Sequence, residues 1–218
     1  MAKSRDKTLI PRRHYPEIME CVNELRDRYG APIERARLKS LRRLDPHCRR
    51  FIELSPFVCL GTTGEDGADV TPRGDQPGFV HVLDDATLAL PDWPGNNRLD
   101  SLTNILSNPE IGMLFLIPGV DETLRVNGTA EVTTGPEVLE RWSVNGKHPK
   151  SALLITVKEA FLHCGKALIR SRLWQDDYKI DRSRLPTYGK MLKDQIEIAD
   201  STEEIEASVA EGYKERLY

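Results

Sequence analysis

Phe57-Val58-Cys59-Leu60-Gly61-Thr62, then Glu65-Asp66-Gly67, then Asp69-Val70-Thr71-Pro72 read as a strand, a tight turn and a return strand. The apolar run is short and bounded, and the Asp-Gly step supplies the backbone conformation that a tight hairpin turn needs. Gly78 to Leu83 and Thr87 to Leu90 read as two further strands, so the hairpin opens an antiparallel meander.

Working outward, the Asp92 to Asn97 loop leads into a helix carrying Leu99, Leu102, Ile105 and Leu106, which Asn108-Pro109 stops. Strands return at Ile111 to Ile117 and at Thr123 to Thr133. In the second, Leu124, Val126, Gly128, Ala130 and Val132 alternate with Arg125, Asn127, Thr129 and Glu131, which predicts one wet face. A short helix around Glu137 to Trp142 precedes a last long strand, Ala152 to Cys164. Upstream, Ile18, Cys21, Val22, Leu25 and Tyr29 recur at helical steps from Pro16 to Tyr29, closed by Gly30 and Pro32. A basic helical stretch from Ile33 to Leu44 reads as a solvated face. The tail from Pro186 to Tyr218 returns to charged helical periodicity. The expectation is a mainly β, α+β chain: a helical arm over 1–49, one β-barrel domain over 50–175 and a helical extension over 176–218.

The chain has 218 residues, enough for a substantial core, and its 31 basic and 34 acidic side chains leave a formal charge of -3. Such balance argues against nucleic acid as a partner. No apolar run approaches the roughly 18–20 residues of a membrane span, and Met1 to Ile10 has no apolar signal core. No membrane partner and a cytoplasmic location are expected. Cys21, Cys48, Cys59 and Cys164 form no CxxC pair and read as reduced thiols. His47-Cys48 and His163-Cys164 invite a zinc reading, but adjacent residues rarely point at one ion, so no metal is expected. The nucleophile elbow, the P-loop, GxGxxG, HExxH and the EF-hand loop are all absent.

A phosphate cradle remains. Thr71-Pro72-Arg73-Gly74-Asp75 ends a strand with an arginine, and Pro94-Gly95-Asn96-Asn97-Arg98-Leu99-Asp100-Ser101 gathers amides, a guanidinium and a hydroxyl at a helix start. The first amides of a helix have no intrahelical partners and the macrodipole is positive there, so an anion is favoured. Plainer roles stand beside this one. Asn97 reads equally as an N-cap, Arg73 as a partner of Asp69 or Asp75, and Arg125 as a cross-strand partner of a carboxylate. Trp93, Trp142 and Trp174 fit core or interface anchors, and His163 a hydrogen-bonded core or interface histidine.

The ordered set Val70-Thr71-Pro72-Arg73-Gly74, Asn97-Arg98, Asn108-Pro109 and Leu124-Arg125-Val126-Asn127-Gly128-Thr129-Ala130 resembles the FMN-binding split barrel of pyridoxamine 5′-phosphate oxidases and their relatives. The resemblance runs from about Arg50 to Trp174 and is strongest to the branch described as FMN-dependent enzymes of that class. It implies a six-stranded antiparallel split β-barrel with helical extensions. It places Arg73, Asn97, Arg98 and Ser101 around the FMN phosphate, and backbone groups of Thr71 and Pro72 by the ring and ribityl chain. Thr123 and Arg125 fall where the family makes a polar contact to the flavin. The resemblance further implies a homodimer with FMN in its crevice, the second subunit contributing Lys166, Arg170, Ser171 and Trp174. The implied activity is hydride transfer at the flavin to or from a small molecule, with a nicotinamide as possible donor and no catalytic side chain singled out. A flavin carrier, sensor or interaction module is the alternative, with haem or deazaflavin binding in the same crevice a weaker one. Two departures argue against vitamin B6 oxidation. The Arg-Lys pair that opens the family's phosphate helix is replaced by Asn96-Asn97-Arg98, and the C-terminal arginine and histidine that grip pyridoxal phosphate have no counterpart after Pro186.

Overall fold

The computed structural model describes residues 21–215 and 218, in two compact units, Met1–Leu38 and Lys39–Tyr218. In the first, α1 (Val22–Tyr29) and α2 (Glu34–Leu38) bury no side chain. The part of the expected first helix before residue 21, including Ile18, lies outside the described residues. The basic helix expected to reach Leu44 stops at Leu38. Leu41 instead exchanges backbone hydrogen bonds of 3.0 and 2.8 Å with Ala160, taking the chain onto the sheet.

The second unit therefore begins ahead of the expected boundary at residue 50. Its helix α3 (Pro46–Leu54) has Asp45 as N-cap, accepting from the Cys48 amide at 2.8 Å, and a proline in its first turn. Leu44, Cys48, Phe51 and Ile52 enter the main core, so this helix is part of the barrel rather than of an arm.

The strands are β1 (Phe57–Gly64), β2 (Gly67–Gly74), β3 (His81–Val82), β4 (Thr87–Asp92), β5 (Glu110–Leu116), β6 (Thr123–Thr133) and β7 (Ser151–His163). They form one antiparallel sheet in the order β2-β1-β5-β6-β7-β4-β3. Val58 and Leu60 of β1 share one core cluster with Leu88 and Leu90 of β4, although three strands lie between them in the order, so the sheet rolls around a common interior. Phe115, Leu124, Val126 and Ile155 complete its centre. This is the split-barrel class, with seven strands where six were expected. Gly78 lies at φ 82° and Phe79 and Val80 plug the core, which leaves only two residues of the predicted 78–83 strand to pair. In β6 the register shifts between Asn127 and Gly128, and a Cβ at Gly128 would lie 2.1 Å from the Thr156 carbonyl oxygen. Glycine is required there.

Helices α4 (Asp100–Ser107) and α5 (Pro136–Leu139) lie within the barrel's connections, and α6 (Lys166–Ser171), α7 (Tyr188–Gln195) and α8 (Thr202–Glu215) follow it. The predicted 137–142 helix shortens to one turn, but Trp142 is buried, donates to the Phe79 carbonyl at 2.8 Å and stacks on His81. Glu206 of α8 accepts from the Gly189 amide of α7 at 2.6 Å, which ties the last two helices together. Tyr218 returns to the barrel: its hydroxyl donates to Asp75 at 2.8 Å and its ring meets Trp93 edge-on.

Candidate functional site

Between β4 and α4 the chain adopts an unusual turn. Asn97 (φ 57°) and Leu99 (φ 58°) are both left-handed, a conformation that costs about 1–2 kcal/mol in a residue with a Cβ. Asn96 Oδ1 accepts from the Arg98 amide at 3.1 Å and fixes the turn's entry. The N-cap position of α4 falls to Leu99, which offers no side-chain acceptor, so the N-cap role weighed for Asn97 is corrected. The first amides of α4 are left open. Ser101, in the first turn, is 4% exposed and its hydroxyl has no hydrogen-bond partner among the described residues.

This turn walls an open cavity of about 650 Å³, lined also by Thr71, Pro72 and Arg73 of β2 and by Lys150 and Ser151. Arg73, Asn97, Arg98 and Ser101, expected at a phosphate, and Thr71 and Pro72, expected at the ring and ribityl chain, all line it. Along β2, Asp69, Thr71 and Arg73 share the inward face. Arg73 Nη1 donates to Asp92 Oδ1 at 2.5 Å, not to Asp69 or Asp75, and these side chains are only 22% and 16% exposed. Its Nε is buried without a partner, as is the indole Nε1 of Trp93, another lining residue. Arg98 Nε donates to Asp100 Oδ2 at 2.8 Å and is 62% exposed. The cavity thus offers an uncapped helix start, a free hydroxyl and a buried guanidinium N–H without an acceptor. Each of these groups suits an oxyanion.

The remaining expected residues lie elsewhere. Thr123 pairs with His163, whereas Thr133 at the other end of β6 pairs with Ala152, next to the cavity residue Ser151. Through the β2-β1-β5-β6 register Arg73 stands level with Leu124, three strands away, and Thr123 itself is not in the lining. Thr123 is buried. Arg125 makes no salt bridge among the described residues, though, after hydrogen bonds from Ser40 and Asn127, its charge helps hold the Glu159 carboxyl below its usual range; its guanidinium lies 5.1 Å from the centre of the Phe161 ring, with Lys39 Nζ 5.3 Å from the same ring. Burial, then Lys39 and Arg125, hold His163 below the usual imidazole range. Lys166, Arg170 and Ser171 belong to α6, and the Trp174 indole donates to the Val120 carbonyl at 2.9 Å. None of these lines the cavity. Trp93, Asp92 and Lys150 were missed. The Trp93-Pro94-Gly95 break hinted at the first, but Lys150 arrives only through the β4–β7 register, where Ser151 pairs with Asp92. Among the described residues no three His, Cys, Asp or Glu side chains gather as metal ligands.

The family model for pyridoxamine 5′-phosphate oxidase matches residues 44–164, more than half of the chain. No curated protein matches the sequence. Among solved structures, HupZ of Group A Streptococcus is 20% identical, with 54% of this chain and 92% of that one covered at a TM-score of 0.45. A candidate pyridoxamine 5′-phosphate oxidase of Lactobacillus delbrueckii is 20% identical, with 56% and 95% covered and a TM-score of 0.43.

Proposed function

The chain belongs to the pyridoxamine 5′-phosphate oxidase family, and from that premise we propose that its cavity binds FMN by the phosphate and that the protein is an FMN-dependent oxidoreductase acting on a small molecule. The observation that carries this reading is the buried, unpartnered Arg73 Nε in the same cavity as the uncapped start of α4. A volume of about 650 Å³ suits a ligand of cofactor size. Arg98, Ser101, the Asn97 turn and the first amides of α4 hold the phosphate, with Arg73 as a second guanidinium. β2 is an edge strand paired only with β1, so its outer backbone groups near Thr71 and Pro72 are free to meet the ring and ribityl chain. FMN, when bound, supplies the hydride chemistry. The chain's part is to bind, orient and shield it, and no side chain in the cavity need move a proton.

The second half of the site comes from a partner copy in this reading. Thr123, Arg125, Lys166, Arg170, Ser171 and Trp174 are not in the lining of their own cavity, and a homodimer that sets these residues of one copy against the cavity of the other would unite them. Arg125 and Lys39, neither of which makes a salt bridge among the described residues, would then bring positive charge to the flavin. Among the described residues no helix is long and apolar enough to cross a membrane, and we place the protein in the cytoplasm.

The test is the visible spectrum of freshly purified protein, with heat release and identification of the pigment, its size in solution, and reduction by nicotinamide cofactors. Flavin bands near one FMN per chain in a dimer support the reading, and turnover with an electron donor separates an enzyme from a carrier. A colourless protein that ignores added FMN refutes it.

A further inference from the structure

The charged side chains that line the cavity are Asp69, Asp92, Asp100, Arg73, Arg98 and Lys150, three of each sign. Both arginines are already engaged, Arg73 by Asp92 and Arg98 by Asp100. Lys150 has no salt bridge and no hydrogen bond among the described residues. It stands at the mouth of β7, one residue before Ser151, whose register partner is Asp92. The ladder therefore brings Lys150 into the same lining as the Arg73–Asp92 pair, and buried Pro149 precedes it. A lining whose charges cancel gives a phosphate dianion no net attraction beyond the helix start. With Lys150 neutralised, the lining carries a net negative charge that opposes the ligand.

We propose that Lys150 is the phosphate-selecting cation of this cavity, the one positive side chain of its lining with no carboxylate partner among the described residues. A rotatable ammonium on a flexible stem suits that role, since it can follow a phosphate oxygen while Arg73 and Arg98 stay with their carboxylates. The proposal rests on the FMN reading above.

The experiment compares FMN with riboflavin, which has the same ring and no phosphate, by quenching of flavin fluorescence on titration with the full-length chain. Lys150→Gln should weaken FMN about tenfold and Lys150→Glu about a hundredfold, while riboflavin changes by less than about twofold. Lys150→Arg should keep FMN near the wild-type affinity. Lys150 is exposed, so the variants should melt with the wild type, which separates a charge effect from a folding defect. Unchanged FMN affinity in both the Gln and Glu variants, or a parallel fall for FMN and riboflavin, overturns the role of Lys150 and leaves the FMN reading standing. Wild-type protein that holds riboflavin as tightly as FMN, or holds neither, overturns the phosphate reading and the proposal with it.

Discussion

Replacing Arg73 with alanine probes the cavity from two sides at once. The guanidinium lies 2.5 Å from Asp92 Oδ1, with the two side chains 22% and 16% exposed. At an effective dielectric near 20, unit charges about 4 Å apart attract by about 4 kcal/mol before desolvation is counted. Removing one partner of a fully buried pair costs about 3–5 kcal/mol because it strands the other charge. Solvent reaches about a fifth of this pair, so Arg73→Ala should destabilise the ligand-free protein by about 2–3 kcal/mol. At about 2–4 °C per kcal/mol for a chain of this size, the melting midpoint falls by about 5–10 °C. Adding Asp92→Asn removes the stranded carboxylate and should return about half of that loss. FMN affinity, read by fluorescence quenching, should fall about 10- to 100-fold in the single variant and stay low in the double, because neither has the guanidinium. If Arg73→Ala melts with the wild type, or if Asp92→Asn adds its own loss to the first, the ion pair does not hold the cavity wall and the reasoning fails.

Arg98 should behave differently. Its pair with Asp100 is exposed, so Arg98→Ala should leave the melting midpoint nearly unchanged while weakening FMN about 10- to 100-fold by titration; unchanged affinity would mean the phosphate sits elsewhere. The Cys48 amide, outweighing burial, holds the Asp45 carboxyl below its usual range. The unfolded chain therefore takes up that proton at higher pH than the native one, so the cap's contribution is whole above pH about 3.9 and lost as pH falls through the lower folded value. Asp45→Asn keeps a capping oxygen but does not titrate, so its urea-unfolding stability should fall less steeply with acid than the wild type's; equal slopes would count against the cap. Burial pushes the Cys48 thiol up to about 11, so in native protein at neutral pH an alkylating agent should modify exposed Cys164 and spare Cys48, as read by mass spectrometry. Equal labelling of the two would contradict the packing of α3.

The parts of the fold legible in sequence are those whose signals are local. β6 spans the predicted 123–133, because alternation over eleven residues admits one register against a buried face. The hairpin turn is equally local, with Gly67 at φ 107°. Helix α3 was missed, although Asp45-Pro46 and the spacing of Leu44, Cys48 and Phe51 announce it; the basic stretch before it drew the helix too early. What separates Ile33–Leu38 from Leu41 is not propensity but the bridge to Ala160, a contact 119 residues away that no local window contains. The predicted 78–83 strand failed for a related reason: Phe79 and Val80 are apolar because they fill the core, and only His81 and Val82 meet a partner strand.

The same division runs through the site. Six residues of the cavity lining could be named in advance because they come from two short contiguous stretches, a strand end and a helix start, and both carry their chemistry in sequence order. Partners of those residues could not. Arg73 was expected to find its carboxylate at Asp69 or Asp75, its neighbours in sequence. Asp69 shares its face of β2 but stands four residues off, about 13 Å along the strand, whereas Asp92 arrives from β4 and closes to 2.5 Å. Lys150 joins the same corner only because β7 is in register with β4, so the charge balance of the cavity is a property of strand order rather than of any motif. Strand order likewise leaves Thr123 and Arg125 outside the lining, three strands from β2, though the alternation had rightly put Arg125 on the exposed face. A motif can therefore locate the cradle, but its affinity for an anion depends on which carboxylates and cations the sheet delivers to it. Exchanging Lys150 would change that affinity without altering one residue of the motif.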